Sequence, residues 1–93
     1  MPHAGIAFEA EMTREQGDRL AALMAEGRPT RPEGVLCASL EYSDGRARLV
    51  AIWRDRETLS RYLAQAPAPR GTELMRKVGV EPAVTTFEIL ELG

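Results

Sequence analysis

The chain has 93 residues, of which 44% are hydrophobic and 28% charged, and its net charge at neutral pH is −2. This length and balance predict one folded domain over residues 1–93 and exclude a disordered chain, while the lack of a basic excess excludes nucleic acid as a partner. The sequence has no apolar run of the roughly 18 residues that span a membrane, no pattern of a secretion signal and a single cysteine, Cys37, so we expect no membrane contact, no internal disulfide and a cytoplasmic location.

The first two predicted elements are a strand and a helix. Apolar side chains alternate with polar ones over residues 6–12, which is the periodicity of a strand. Thr13 and Gln16 follow with the spacing of a capping box, which predicts that a helix begins there. Apolar residues then recur at helical spacing as far as Gly27, where the helix is expected to end.

The next two predicted elements form a hairpin over residues 35–42 and 46–54. Asp44 and Gly45 lie between these strands, and this pair favours a two-residue type I′ turn because both positions need positive φ. Such a turn fixes the register of the two strands. The expected cross-strand pairs are Ser43 with Arg46, Glu41 with Arg48, Ala38 with Ala51, and Leu36 with Trp53.

This register sorts the side chains of the hairpin onto two faces. The first face is apolar apart from one tyrosine hydroxyl, and it carries Leu36, Ala38, Leu40, Tyr42, Ala47, Leu49, Ala51 and Trp53. The second face carries Val35, Cys37, Ser39, Val50 and Ile52, with Glu41, Arg48 and Arg54 around them. A face in contact with water would be polar in its middle, so the second face predicts a homodimer packed sheet against sheet.

Two further helices and a strand complete the chain. Asp55 is placed to cap a second helix, whose apolar stripe is Leu59, Tyr62, Leu63 and Ala66, and two prolines end it. Thr72 is placed to cap a short third helix, and residues 83–92 read as the last strand. With right-handed crossovers, the order β-α-β-β-α-(α)-β gives an α+β, ferredoxin-like fold with a four-stranded antiparallel sheet and helices on one side.

The end of the third strand carries a resemblance to a known family. There the sequence reads Leu49-Val50-Ala51-Ile52-Trp53-Arg54-Asp55-Arg56-Glu57, with the aromatic Tyr62 on the following helix. Together with the length and the order of elements, it resembles the dimeric α/β-barrel superfamily, and more narrowly the antibiotic-biosynthesis-monooxygenase type. The resemblance implies a cofactor-free monooxygenase acting on a small aromatic or quinone-like molecule. The superfamily also contains isomerases, haem-degrading enzymes and members of unknown role.

The chain departs from the family pattern at two places. In the cofactor-free members a tryptophan matching Trp53 lines a pocket beside an asparagine of the same strand, but this chain has Leu49 there and no asparagine at all. The haem-degrading members use a histidine after the second helix, whereas the single histidine here is His3. We therefore expect no haem, no other cofactor and no metal.

The resemblance places a pocket between Trp53, Tyr62, Phe8 and Met24, with a small apolar or aromatic ligand. The alternative is that Trp53 and Tyr62 are ordinary core side chains, and that the protein is a non-catalytic binding or accessory domain. A cavity of about 300 Å³ or more would favour ligand binding, and a filled interior would favour the alternative.

Two further groups of charged side chains have two possible functions each. Glu9 and Glu11 share one face of the first strand, so they could do acid–base work or lie at the rim of the predicted interface. Arg70, Arg76 and Lys77 could steer an anionic substrate or form an ordinary solvated surface. For Cys37 we expect burial as a small hydrophobic side chain.

Overall fold

The computed structural model describes residues 2–65 and 67–92 of the chain. The strands are β1 (His3–Glu11), β2 (Val35–Ser43), β3 (Arg46–Trp53) and β4 (Ala83–Ile89). The helices are α1 (Arg14–Gly27), α2 (Arg56–Gln65) and α3 (Arg70–Lys77), with a 3₁₀ turn at Arg28–Thr30. The strands lie in the order β2-β3-β1-β4, and all neighbours are antiparallel. This arrangement confirms the predicted ferredoxin-like α+β fold.

Side-chain caps begin the first two helices, as predicted. At α1, the Gln16 backbone N–H donates to Thr13 Oγ1 over 3.1 Å, and the Thr13 N–H donates to Gln16 Oε1 over 2.8 Å. At α2, the Thr58 N–H donates to Asp55 Oδ1 over 2.7 Å. Because Asp55 follows β3 almost directly, this cap turns the chain from the sheet into α2. The predicted stripe residue Ala66 lies outside the described residues.

Three predicted boundaries are wrong by more than one residue. The helix α3 begins at Arg70 without a side-chain cap, because Pro69 holds the extended backbone that precedes a helix, and Thr72 is inside the first turn and 5% exposed. The strand β1 begins at His3, since it pairs there with β4. The strand β4 ends at Ile89, which pairs with His3, the first residue of β1.

The hairpin register is correct near the turn and wrong at its far end. Positive φ values of 50° at Asp44 and 76° at Gly45 fit the type I′ turn. The first three predicted pairs are present: Ser43 with Arg46, Glu41 with Arg48, and Ala38 with Ala51. Trp53 pairs instead with Val35, because a bulge lies between Val35 and Cys37. Val35 therefore lies on the helix side of the sheet, and Leu36 is 45% exposed.

The three helices cover one face of the sheet, and the core lies between them. Strand residues of the core are Ala4, Ile6, Phe8, Ala10, Met12, Ala47, Leu49 and Trp53, and helix α1, helix α2 and the segment around α3 contribute Leu20, Leu59, Met75 and Val78. Because β1 is flanked by β3 and β4, its alternate side chains form the middle of this core.

The opposite face of the sheet carries no helix, and we call it the open face. Its side chains are Ala7, Cys37, Ser39, Val50, Ile52, Thr85 and Phe87. The Phe87 ring lies over Gly5 in the space that a side chain would fill. At one end, the Arg48 guanidinium lies 3.5 Å from a Glu9 oxygen and 3.7 Å from a Glu41 oxygen. The open face thus has the apolar middle and charged rim that the sequence predicts.

Candidate functional site

A cavity of about 120 Å³ lies between the helix side of the sheet and the helices. Its lining residues are Ile6, Phe8, Met24, Arg28, Arg31, Pro32, Val35, Ala38, Leu49, Ala51, Trp53, Tyr62, Arg70, Gly71 and Leu74. The strand residues at its base are buried, whereas Arg28 and Arg31 are exposed to solvent. The cavity is therefore apolar inside and has a basic mouth.

The structure brings all four predicted pocket residues to the wall of this cavity. Phe8 and Trp53 are 3% and 2% exposed, and Met24 and Tyr62 are half-buried. These side chains come from β1, β3, α1 and α2, so the cavity depends on the whole helix layer. That the four bind a ligand stays a prediction.

Trp53 is held at the end of β3 by contacts on two sides. Its ring centroid lies 4.9 Å from that of Tyr62, with the planes tilted by 36°. On another side the chain passes close to the indole at Gly34, where an added Cβ would lie 3.2 Å from Trp53 Cε3. Gly34 has a φ of 101°, which glycine adopts without strain. The indole is thus fixed in one position in the cavity wall.

Two hydrogen-bond donors in the cavity wall have no acceptor within the described residues. The buried Trp53 Nε1 has no partner there. A buried N–H left without a hydrogen bond costs about 1–3 kcal/mol. The Tyr62 oxygen accepts a hydrogen bond from the Arg70 backbone N–H over 2.8 Å, and its own proton has no acceptor among residues 2–65 and 67–92. Both residues line the cavity, and the indole N–H itself is closed to solvent.

Two arginines of the cavity wall were not predicted: Arg28, which begins the 3₁₀ turn, and Arg31, which follows it. Arg28 and Arg31 both line the cavity, yet they fall in a segment for which periodicity gives no side-chain direction. Their spacing is the signal that could have found them, because residues i and i+3 of a 3₁₀ turn lie above one another. Arg70 joins them from α3, and its guanidinium donates to the Gly27 carbonyl and, over 3.4 Å, to Thr30 Oγ1.

The remaining sequence candidates do not line this cavity: His3, Glu9, Glu11, Cys37, Arg76 and Lys77. His3 Nδ1 lies 2.9 Å from the Arg54 carbonyl oxygen, so His3 contacts the backbone directly after β3. Arg76 pairs with Glu81 over 2.8 Å. Cys37 is exposed on the open face of the single chain, so its burial stays a prediction that depends on the homodimer. Its burial would require a second sheet over that face.

A second cavity, of about 290 Å³, lies between α2 and β4. It is larger than the first, but its two charged side chains are partnered with each other, since the Arg56 guanidinium lies 2.9 Å from a Glu88 oxygen. It also lies at an edge of the sheet rather than over its middle. The first cavity has unpartnered donors and a buried apolar base, so we treat it as the candidate site.

Among residues 2–65 and 67–92, no three side chains of His, Cys, Asp or Glu come together in a way that could hold a metal ion. Within that same part, no helix has the length and apolar character to cross a membrane.

The fold is shared with proteins of solved structure. A proposed antibiotic biosynthesis monooxygenase from Bordetella bronchiseptica superposes with a TM-score of 0.71 at 16% identity, over 98% of this chain and 100% of that one. SnoaB, a cofactor-independent oxygenase from Streptomyces nogalater, gives 0.61 at 14% identity, over 100% and 96%. NE2512, a protein of unknown function from Nitrosomonas europaea, gives 0.68 at 15% identity, over 100% and 94%.

These similarities establish the fold. They confirm the resemblance to the antibiotic-biosynthesis-monooxygenase type at that level, across essentially the whole chain. No protein-family model and no curated protein matches the sequence. Because the neighbours include both an oxygenase and a protein of unknown function, the function of this chain has to be argued from its own cavity.

Proposed function

We propose that this protein is a cofactor-free oxygenase that acts on a small, electron-rich aromatic ring bound in the cavity of about 120 Å³. The observation that supports this most is Trp53, whose side chain lines the cavity and whose buried indole N–H has no hydrogen-bond partner among the described residues. A ligand oxygen next to that N–H would remove the cost of the missing hydrogen bond. The fold similarity to a cofactor-independent oxygenase supports the same reading.

The size of the cavity limits the substrate to one ring. An apolar cavity of roughly 150 Å³ is known to hold benzene. The cavity here, at about 120 Å³, is smaller than the 300 Å³ that typical ligand pockets reach, but it is open at its mouth. A single ring is therefore the largest group that we propose for the interior, with its substituents extending toward Arg28 and Arg31 at the open mouth. Hydroquinone is a substrate of this size and chemistry.

The proposed chemistry relies on the substrate rather than on a cofactor. A deprotonated hydroquinone passes electrons to O₂, and one oxygen atom then bonds to a ring carbon that loses its hydrogen. The O–O bond breaks and the other oxygen leaves as water, so hydroquinone and O₂ give hydroxyquinone and water. Trp53 and Tyr62 would donate hydrogen bonds to the ring oxygens and favour their anionic form. The apolar walls would keep water away from the reactive anion.

The proposal includes a homodimer in the cytoplasm. The open face has Val50 and Ile52 in its middle, and both are only half-buried in the single chain. A second copy packed against this face would cover them and would also bury Cys37. A free thiol is most stable in a reducing compartment, which supports a cytoplasmic location.

The test is oxygen consumption with hydroquinone, measured above the rate of spontaneous oxidation in buffer. Trp53→Phe and Tyr62→Phe each remove one donor and keep an aromatic ring, so each is expected to lower the rate by about tenfold or more. Tyr42→Phe is the matched control, because the Tyr42 hydroxyl donates to the Met12 carbonyl over 3.0 Å and does not line the cavity. Equal rates in folded wild type and Trp53→Phe would refute the proposed role of the indole.

A non-catalytic binding domain is the second candidate. Fluorescence of the wild-type protein distinguishes it from an enzyme. Trp53 is the only tryptophan of the chain, so its fluorescence reports on the cavity directly. A saturable fluorescence change with hydroquinone, without any oxygen consumption, would favour binding alone over catalysis.

A further inference from the structure

The arginines at the mouth of the cavity differ from most other arginines of the protein. Six arginines lie within ion-pair distance of a carboxylate: Arg14, Arg48, Arg54, Arg56, Arg61 and Arg76. Arg28, Arg31 and Arg70 form no ion pair within the described residues, and all three line the cavity. Three of the six basic side chains that form no ion pair among the described residues therefore lie at its mouth.

The rest of the cavity wall offers nothing to neutralise this charge. No aspartate or glutamate is among its lining residues, and every polar side chain there is able to donate a hydrogen bond. These donors are the three guanidinium groups, the indole of Trp53 and the hydroxyl of Tyr62. A ligand matching this wall needs acceptor oxygens at both ends and a negative charge at the mouth.

Arg70 is held in place by the protein, so its position does not depend on a ligand. Its guanidinium donates to the Gly27 carbonyl and to Thr30, which ties α3 to the end of α1 and to the 3₁₀ turn. The helix α3 begins at Arg70 without a side-chain cap, and Gly71 of its first turn lines the cavity. The partial positive charge of a helix N-terminus adds to that of the arginines.

From this arrangement we infer that the substrate is a single-ring aromatic acid with a ring hydroxyl, bound with its carboxylate among Arg28, Arg31 and Arg70 and its hydroxyl at Trp53 and Tyr62. This inference rests on the proposed function and names the substrate class for it. The planar guanidinium matches a carboxylate with two parallel hydrogen bonds, which favours a carboxylate at this mouth. The buried ring then brings its hydroxyl to the two donors inside.

The experiment compares two probes of equal shape, para-hydroxybenzoate and para-hydroxybenzamide, by titration of Trp53 fluorescence at neutral pH. We expect the acid to bind about tenfold more tightly than the neutral amide at low ionic strength. Added salt should reduce this difference, because the mouth is solvent-exposed.

Two variants test whether the difference in affinity between the acid and the amide comes from the arginines at the mouth. The double variant Arg28→Gln and Arg31→Gln should lose most of the preference for the acid, and it leaves Arg70 and its contacts with Gly27 and Thr30 intact. Arg19→Gln is the matched control, since Arg19 is exposed on α1, has no ion pair among the described residues and does not line the cavity. It should keep the preference for the acid.

Two results would overturn the inference. Equal affinities of the wild type for acid and amide, or a preference that is undiminished in the double variant, would reject the aromatic acid while leaving hydroquinone oxidation intact. If neither probe nor hydroquinone changes the Trp53 signal of folded protein, the inference and the proposed function both fail.

Discussion

Asp55 lies between β3 and α2, which both carry residues of the cavity wall. Its carboxylate accepts the Thr58 N–H at the start of α2, the helix that carries Tyr62. This hydrogen bond, followed by one from the Thr58 side chain and by the neighbouring Arg54, holds the pKa of Asp55 below its ordinary value of 3.8. The charged form of Asp55 is therefore favoured by folding.

The sign of this shift gives a pH-dependent prediction. A lowered pKa contributes stability above the ordinary value, and that contribution is lost as the pH falls through the lowered one. Asp55→Asn keeps a capping oxygen but cannot be protonated. We expect the variant to lose less stability than the wild type between about pH 7 and about pH 3, measured by urea unfolding. Equal acid losses in the two proteins would show that the Asp55 cap does not titrate with folding.

At the scale of elements, α3 and β1 meet at Gly71. A Cβ added there would lie 2.5 Å from Cδ2 of Phe8, so the helix approaches the strand more closely than any other residue allows. The same ring forms part of the cavity wall. The approach of α3 therefore sets both the packing of the core and the space left for a ligand.

Gly71→Ala tests this contact. Alanine in a helix usually adds up to about 1 kcal/mol of stability. Here we expect a net loss of about 1–3 kcal/mol, because Phe8 must move, and weaker ligand binding if it moves into the cavity. Gly17→Ala in α1 is the graded control, since its Cβ would lie 3.3 Å from Tyr42, which can shift at the surface. Urea unfolding gives both values; a more stable Gly71→Ala variant would contradict the tight contact.

The hairpin shows how far local sequence determines these elements. Asp44 and Gly45 specify a turn with positive φ, and the turn specifies the first pairs of the ladder. The bulge near Leu36 was not predictable, because it accompanies a contact between Trp53 and Gly34, residues far apart in sequence. The Gly34 carbonyl also accepts the Arg54 N–H over 2.8 Å, which fixes the chain at that end.

The candidate site likewise has one part that local sequence predicts and another that depends on tertiary packing. Its aromatic residues lie on strands and helices, where periodicity gives the side-chain direction, and the family resemblance grouped Phe8, Trp53 and Tyr62 at one pocket. The arginines at the mouth lie in a turn and at a helix start, and their direction depends on how α3 packs against α1. That packing is a tertiary property, with Arg70 reaching the Gly27 carbonyl.

At the scale of the whole molecule, the open face is the side of the sheet that no described helix covers. An interface formed by two such faces should bury on the order of 1,200–2,000 Å². Light scattering is expected to give about twice the chain mass of 10.3 kDa. A particle of 10.3 kDa at micromolar concentration would reject the dimer.

Ile52→Lys places a charge in the middle of the open face and should dissociate the pair, because that charge would be buried without a partner. Ala22→Lys is the control, since Ala22 is exposed on α1 and lies away from the open face. It should scatter like the wild type. A dimeric Ile52→Lys variant would place the interface elsewhere.

The separation of the two sides of the sheet has a consequence for how such a pair would respond to its ligand. Every described side chain of the cavity belongs to the helix side, so pairing through the open face would leave the two cavities on opposite outer surfaces with both sheets between them. Each chain would then own a complete site. Occupancy of one would leave the other unchanged, and saturation would follow a simple hyperbola with one ligand per chain and a Hill coefficient of about one.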